Sequence, residues 1–199
     1  MFHWLSYLFP SLIWKIKTSE KILYLTFDDG PIPEVTPWVL RELEKYHAKA
    51  TFFCIGSNVV KNSELFKQLT VHGHRIGNHT QHHLNGWKAK PTVYINNVAD
   101  AGLHISSHIF RPPYGKITPV IITRLKSEYK IVMWDVLSYD FDITRNGEWC
   151  SQHVIRSAKP GSIIVFHDSI KANERLKVAL PAVLKYFSAK GFKFHSLPV

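Results

Sequence analysis

Short apolar segments alternate with amphipathic segments along most of this chain. Residues Lys21 to Phe27 form an apolar run rich in β-formers, which ends at Asp28-Asp29-Gly30-Pro31, where Gly and Pro mark a loop. Thr36 followed by Pro37 is typical of a helix start, and apolar residues then recur at helical spacing to about His47. The pattern therefore predicts a strand, a polar loop and a helix, in that order.

The same alternation predicts the rest of the fold. The later strands are predicted at residues 50–55, 74–77, the stretch leading into 111, 130–134, 162–166 and 192–195. The later helices are predicted to end near 73, to cover 92–105, to begin at 118–119, and to cover 150–158 and 172–190. Repeated strand–helix alternation is typical of parallel strands covered by helices. We therefore predict an α/β fold with seven parallel strands, as an open sheet or a closed barrel.

Composition indicates one folded domain and narrows the range of partners. The chain has 199 residues, of which 45% are apolar, enough to build one full hydrophobic core. A formal net charge of +10 favours anionic partners such as acidic glycans, lipid headgroups or nucleic acid. We expect no nucleic acid, because the lysines are scattered and no zinc-finger or RNA-recognition motif occurs. With only Cys54 and Cys150, no disulfide framework is predicted.

The first twenty residues differ from the remainder. Residues 1–14 are rich in Trp, Leu, Phe and Ile, but Pro10 interrupts them and no small-residue cleavage site follows, so no cleavable signal peptide is expected. The run is too short for a membrane span. Residues 1–20 are predicted to pack on the flank of the fold or to touch a membrane surface, with residues 21–199 forming the functional domain. A cytoplasmic or membrane-surface location is favoured, and the oligomeric state is left open.

Unusual polar residues follow the predicted strands. In parallel α/β folds, the loops at the carboxyl ends of the strands share one face, so reactive groups collect there. In chain order these residues are Asp28, Asp29, His79, His83, Arg111, Asp140 and His167. All of them are therefore expected on one face of the fold.

A carboxylate pair and a histidine pair indicate a metal site. Asp28 and Asp29 alone are compatible with a simple turn, but on a bent loop one carboxylate can bind a metal while the other accepts a proton. His79 and His83 lie four residues apart, which in one helical turn brings both imidazoles to the same side. Many histidines are merely surface or core groups. Combined with a carboxylate, however, this pair leaves coordination positions open, which indicates catalysis rather than a structural metal.

Two further residues are candidates for the chemistry. His167 ends the apolar run that starts at Ile163, so it is either a core histidine or an imidazole that can protonate a leaving amine. Arg111 precedes Pro112 and either caps a rigid turn or holds a carboxylate ionised with its positive fork.

Taken together, these segments resemble the polysaccharide deacetylase family, the NodB-homology domain of carbohydrate esterase family four. The resemblance rests on five motifs in the family's order, which span nearly all of the chain from Lys21 onward. They are Thr26-Phe-Asp-Asp-Gly-Pro31, Gly77-Asn-His-Thr-Gln-His-His83, Phe110-Arg-Pro-Pro-Tyr-Gly115, Trp134-Asp-Val-Leu-Ser-Tyr-Asp140 and Ile163-Ile-Val-Phe-His-Asp168.

The resemblance implies a distorted (β/α) barrel with about seven parallel strands, and a metal-dependent hydrolase that removes N-acetyl groups from an amino-sugar polysaccharide, oligosaccharide or sugar-linked precursor. Asp29, His79 and His83 would bind a divalent metal ion, with zinc favoured over cobalt, nickel or manganese. Asp28 would be the general base and His167 the general acid.

The resemblance also implies supporting roles. Arg111 would restrain Asp28, Asp140 would orient His167, and the Tyr114 backbone N–H would help to hold the oxyanion. The chain departs from the common family pattern at Leu84, Leu137, Phe141 and Val165, and no departure removes a proposed ligand, acid or base. The residues expected to contact the acetylated carbohydrate are Pro113, Tyr114, Leu137, Phe141 and Val165.

Three other functions are compatible with these residues. An O-acetyl carbohydrate esterase would use the same attack but would need the acid His167 less, because an alcohol leaves more easily than an amine. A non-catalytic glycan-binding protein could keep the fold and use its basic, aromatic exterior. A metal phosphoesterase is less favoured, because the sequence offers no second cluster of metal ligands.

Overall fold

A computed structural model describes residues 9–199 of the chain. Eight strands lie within this range: β1 (Ile22–Asp28), β2 (Thr51–Cys54), β3 (Arg75–Asn78), β4 (Ile109–Phe110), β5 (Lys130–Ile131), β6 (Val136–Leu137), β7 (Ile163–His167) and β8 (Lys193–Phe194). The α-helices are α1 (Thr36–Glu44), α2 (Gly56–Lys61), α3 (Ser63–Val71), α4 (Pro91–Gly102), α5 (Pro119–Leu125), α6 (Gly147–Ser157) and α7 (Asn173–Ala189). A 3₁₀ turn covers Pro113–Gly115.

The strands form one curled, parallel sheet. Its order is β5-β4-β3-β2-β1-β7-β6, and β8 pairs separately with the start of β1. Every pairing between these strands is parallel. No pairing between the described strands joins β5 to β6, so the barrel is incompletely closed. The expected α/β fold, a distorted barrel with about seven parallel strands, is confirmed.

The strand β6 is absent from the elements that the sequence predicted. It contains only Val136 and Leu137, which pair with Ile164 and Val165 of β7. Two residues are too few for alternation to be recognised, and the strand exists because β7 offers a partner edge.

The main core lies between the sheet and the helices that cover it. Three phenylalanines from neighbouring strands stack at its centre, with the Phe27 ring 5.0 Å from that of Phe52 and 6.0 Å from that of Phe166. All three are fully buried. Helix α7 adds Leu180 and Val183 to the same cluster. This packing fixes β1 and β7, whose carboxyl ends carry Asp28 and His167.

The prediction for residues 1–20 concerns a segment that the structure describes only in part, since residues 1–8 lie outside the described residues. Within residues 9–20, Leu12 is buried in a second apolar cluster. Ile13 forms a bridge with Val132 just after β5, and Lys15 forms one with Ser162 just before β7. A membrane contact of this segment stays a prediction. No helix within residues 9–199 is both long enough and apolar enough to cross a bilayer.

Candidate metal and hydrolytic site

Asp29, His79 and His83 bring one carboxylate and two imidazoles together at the carboxyl ends of β1 and β3. The Oδ1 atom of Asp29 lies 3.3 Å from Nε2 of His83 and 3.9 Å from Nε2 of His79. One potential ligand atom from each residue lies within 4.8 Å of the others. Asp29 Oδ1 is buried and accepts no hydrogen bond from any described residue. A buried carboxylate oxygen without a donor, facing two imidazole nitrogens, fits a divalent metal ion.

The two imidazoles are oriented by their other nitrogen atoms. Nδ1 of His79 lies 2.7 Å from the carbonyl oxygen of Arg111, which can only accept, so Nδ1 carries the proton and Nε2 keeps its lone pair. Nδ1 of His83 lies 3.1 Å from the hydroxyl of Tyr114. Burial lowers the pKa of His79 to about 3 and also lowers the pKa of His83. Both rings are therefore neutral at neutral pH, which is the form that binds metals.

The segment between these histidines is a loop, and the prediction of a helical turn for it is wrong. The backbone has positive φ values of 65° at Thr80 and 54° at His83. Side-chain amides stabilise this path. Asn78 Oδ1 accepts a hydrogen bond from the Thr80 N–H at 2.8 Å, and Asn97 Oδ1 accepts hydrogen bonds from the backbone N–H groups of Gln81 and His82. The sequence spacing alone favours a helical turn, because these long-range amide contacts are invisible in it.

Asp28 is held by a buried arginine. The Arg111 side chain is fully buried, and its Nη1 donates to Asp28 Oδ1 at 2.8 Å and to Thr26 Oγ1 at 2.7 Å. Two backbone carbonyls accept from its other nitrogens, at 3.3 Å from Nε and 2.9 Å from Nη2. Burial lowers the pKa of Arg111, and the Asp28 carboxylate opposes that shift. Because every part of the guanidinium has a partner, Arg111 holds the Asp28 carboxylate in one fixed position.

His167 is paired with a buried carboxylate. Its Nδ1 lies 2.7 Å from Asp140 Oδ1, and its backbone N–H donates to Asp140 Oδ2 at 2.8 Å. Burial lowers the pKa of His167, but the charge of Asp140 and this hydrogen bond outweigh it and raise the pKa to about 9. His167 is therefore a protonated imidazolium at neutral pH, with Nε2–H as the remaining donor.

Asp168 supports the loop that carries Asp28 and Asp29, a role that the sequence did not predict. Its Oδ1 accepts the Gly30 N–H at 3.0 Å, and its Oδ2 accepts the Thr36 hydroxyl at 2.5 Å. The side chain is fully buried, and burial raises its pKa to about 8. Gly30 leaves room for it, because a Cβ there would lie only 2.0 Å from Asp168 Oδ2. A carboxylate directly after a buried strand was the available sequence signal.

The comparison with protein families decides the assignment of the whole chain. A family model described as polysaccharide deacetylase matches residues 15–130, more than half of the chain. The chain belongs to the polysaccharide deacetylase family. This assignment was expected from the five sequence motifs.

Known members of the polysaccharide deacetylase family resemble the chain over most of its length. A peptidoglycan-N-acetylglucosamine deacetylase of Bacillus cereus is 35% identical over 188 residues, covering 91% of this chain and 88% of that protein. A chitooligosaccharide deacetylase of Bradyrhizobium is 32% identical, covering 91% of each. A crystal structure of a peptidoglycan N-acetylglucosamine deacetylase superposes with a TM-score of 0.89 at 28% identity, covering 97% of this chain and 94% of that one.

The residues expected to contact substrate in a polysaccharide deacetylase differ in exposure. Tyr114 is 59% exposed, and its φ of 61° places it in the left-handed region. Leu137 and Phe141 are partly exposed, whereas Pro113 is buried in the 3₁₀ turn. Val165 is buried within β7, where it pairs with Thr26 and Leu137. Contact of these five residues with a substrate stays a prediction.

Proposed function

We propose that this chain is a metal-dependent hydrolase that removes N-acetyl groups from an amino-sugar glycan and releases acetate. The observation that carries the proposal is the buried, unpartnered Asp29 Oδ1 facing Nε2 of His79 and His83. An arginine-held carboxylate, Asp28, and a carboxylate-held imidazole, His167, lie at the carboxyl ends of the neighbouring strands. The known relatives support the same class of reaction.

Asp29, His79 and His83 would hold the metal ion, with zinc favoured and cobalt, nickel or manganese as alternatives. When bound, such an ion polarises a carbonyl and acidifies water. The neutral imidazoles of His79 and His83 suit this role, because neither histidine must first lose a proton to bind the ion.

Asp28 would act as the general base. It takes a proton from the water that attacks the acetamide carbonyl, and a tetrahedral oxyanion forms. Arg111 fixes the Asp28 carboxylate through Oδ1 and leaves its second carboxylate oxygen for the water, since only Oδ1 accepts from Nη1. The backbone N–H of Tyr114 would contribute to the stabilisation of the oxyanion, a type of contact that is worth about 3 kcal/mol.

His167 would act as the general acid. It donates its Nε2 proton to the sugar nitrogen, so that the C–N bond breaks and the amine leaves together with acetate. Asp140 supports this role, because it keeps the imidazolium protonated and fixes the ring through Nδ1. An amine needs this proton more than an alcohol does, which favours N-acetyl over O-acetyl hydrolysis.

The test is acetate release from chitooligosaccharides and from peptidoglycan, with chelator treatment and metal add-back. We expect release to stop on chelation and to return with zinc. Asp28→Asn and His167→Ala should each lose turnover while their metal content, measured by elemental analysis, stays at the wild-type level. Asp29→Ala should lose both. Normal turnover by Asp28→Asn would overturn its assignment as the base.

Two matched comparisons separate the alternatives. An N-acetylated and an O-acetylated sugar of the same length are compared, and a preference for the O-acetyl group that is unaffected by His167→Ala would identify an esterase. A protein that binds glycan equally with and without metal and never releases acetate would be a non-catalytic binding protein. Either result would contradict the proposal that the chain hydrolyses N-acetyl groups.

A further inference from the structure

Both histidines of the candidate metal site are held by the same short loop. This loop follows β4 and covers residues 111–116, with the 3₁₀ turn Pro113–Gly115 at its centre. The backbone carbonyl oxygen of Arg111 lies 2.7 Å from Nδ1 of His79, and the side-chain hydroxyl of Tyr114 lies 3.1 Å from Nδ1 of His83. The orientation of one imidazole therefore depends on a backbone atom, and that of the other depends on a side chain.

The two contacts differ in how firmly they hold their histidine. The side chain of His79 is 2% exposed, and its partner is a carbonyl, which can only accept, so one tautomer is allowed. The side chain of His83 is 26% exposed and Tyr114 is 59% exposed. A phenol hydroxyl both donates and accepts, so the direction of this hydrogen bond depends on the other side of the His83 ring.

The surroundings of His83 Nε2 decide that direction. Nε2 lies 3.3 Å from Asp29 Oδ1, yet this oxygen accepts no hydrogen bond from any residue between 9 and 199. A proton on Nε2 would therefore lack an aligned acceptor, whereas a proton on Nδ1 is within reach of the Tyr114 oxygen. The tautomer with Nδ1–H follows, in which the hydroxyl accepts and Nε2 keeps its lone pair for an ion.

The hydroxyl is needed to orient the His83 ring, because ring contacts alone do not. The ring centres of His83 and Tyr114 lie 4.5 Å apart, and the His79 ring lies 5.1 Å from His83 on another side. Such contacts do not distinguish a nitrogen from a carbon at the edge of an imidazole. The hydrogen bond at Nδ1 does, and it selects the orientation that turns Nε2 towards Asp29.

An unusual turn places the Tyr114 side chain. Tyr114 and Gly115 have consecutive positive φ values of 61° and 65°. The Gly115 N–H donates to the carbonyl of Pro112 at 3.0 Å, and a Cβ at Gly115 would lie only 2.6 Å from the Trp134 ring. The indole therefore packs directly against the turn. A bulky residue rarely adopts the left-handed region, and such residues concentrate at functional sites.

We propose that the Tyr114 hydroxyl is a positioning group for the metal ion, which sets how tightly the site binds the ion by holding His83 in its ligating tautomer and orientation. This inference rests on the proposed function and adds a role for the side chain, since the oxyanion contact involves only the Tyr114 backbone N–H. Hydrogen-bond partners of metal-binding histidines contribute about 10- to 100-fold to metal affinity. We expect the lower end, because water reaches this exposed hydroxyl and replaces it in part.

The test is Tyr114→Phe, which removes one oxygen and keeps the ring and the backbone. Zinc affinity is measured by competition with a chromophoric chelator, and cobalt binding is followed by visible absorption, so neither measurement needs turnover. We expect the dissociation constant of zinc to rise about ten-fold and the cobalt bands to shift, because the His83 ring is less fixed. The zinc concentration that gives half-maximal acetate release should rise by the same factor.

A matched control and a second variant isolate the hydroxyl. Tyr186→Phe removes the hydroxyl of another exposed tyrosine, near the end of α7, and should bind zinc as the wild type does. Tyr114→Ala also removes the ring contact with His83, so it should weaken binding at least as much as Tyr114→Phe. Thermal melts without metal check that each variant folds.

The outcomes separate the positioning role from the proposed function. An unchanged zinc affinity or cobalt spectrum in Tyr114→Phe, or an equal loss of affinity in Tyr186→Phe, would overturn the positioning role, and the deacetylase stands if acetate is still released. A wild-type protein that binds zinc in a Tyr114-dependent way but releases no acetate from any substrate would support the positioning role and refute the proposed function. A wild-type protein that binds no divalent ion would refute both.

Discussion

The pairing of His167 with Asp140 makes a quantitative prediction for Asp140→Asn. In the folded protein, burial lowers the pKa of His167 and Asp140 raises it to about 9, against an ordinary value of 6.5. Removing the charge of Asp140 leaves burial, which lowers the pKa, opposed only by the smaller effects of the Asp29 and Asp28 charges, so the pKa should fall towards its ordinary value of 6.5. The difference of about 2.5 pKa units corresponds to roughly 3 kcal/mol between the two protonation states.

This shift should move the alkaline limb of the pH–rate profile. A general acid works only while protonated, so wild-type kcat/KM should decline above about pH 9 and that of Asp140→Asn already above about pH 6.5. At pH 8, the wild-type imidazole is about 90% protonated and the variant about 3%, a roughly thirty-fold difference. At pH 6 the two differ by less than about two-fold from this cause.

The measurement is kcat/KM for acetate release between pH 5.5 and 9.5, with metal content checked at each pH. The ratio of wild-type to variant activity should rise about twenty-fold between pH 6 and pH 8. A purely structural role of Asp140 would lower activity by a constant factor, and a ratio independent of pH would refute the reasoning. Thermal melts of the wild type and of Asp140→Asn measure separately how much folding stability the substitution costs.

Three further predictions concern stability. Gly30→Ala should lower the free energy of unfolding by about 1–3 kcal/mol and impair acetate release, because the new methyl group displaces the Asp168 carboxylate. Urea unfolding measures the loss of stability, and a variant as stable as the wild type would contradict the prediction. Phe27→Ala should cost about 3–5 kcal/mol, because its ring fills the core between two stacked phenylalanines, and an unchanged urea midpoint would exclude that role. Burial lowers the pKa of His74 to about 4, below its unfolded value of 6.5. Between pH 4 and pH 6.5 the unfolded state therefore binds more protons than the folded state, so the free energy of unfolding of the wild type should fall as the pH is lowered from 6.5 towards 4. His74→Gln, which keeps an acceptor for the Ala50 N–H, should lack this fall, and parallel pH curves would disprove the assignment.

Much of the fold could be predicted from the sequence because its strongest strands are apolar and long. The predicted strands at residues 21–27 and 162–166 correspond to β1 and β7. Each observed strand is shifted by about one residue from its predicted ends. Parallel strands direct their carboxyl ends to one face, and for this reason Asp29, His79 and His83 could be placed together without any contact information.

The remaining features depend on contacts between distant residues. The two-residue strand β6 forms only against β7, and the loop of His79 and His83 follows amide contacts from Asn97, more than a dozen residues away. The sequence assigned no role to Asp168, although its carboxylate accepts hydrogen bonds from the Gly30 N–H and the Thr36 hydroxyl, more than 130 residues away. Local periodicity carries no information about such partners, because they are set by tertiary packing.

The central position of β1 has a consequence for synthesis of the protein. This strand is made among the first, yet two of its partners, β7 and β8, come from the last fifth of the chain. Until they emerge from the ribosome, one edge of β1 has no strand to pair with, and Leu23, Leu25 and Phe27, on one face of β1, lack the core residues that β7 and α7 supply in the finished protein. Such an apolar edge is prone to aggregation, so chaperone protection matters most in the interval before β7 is released.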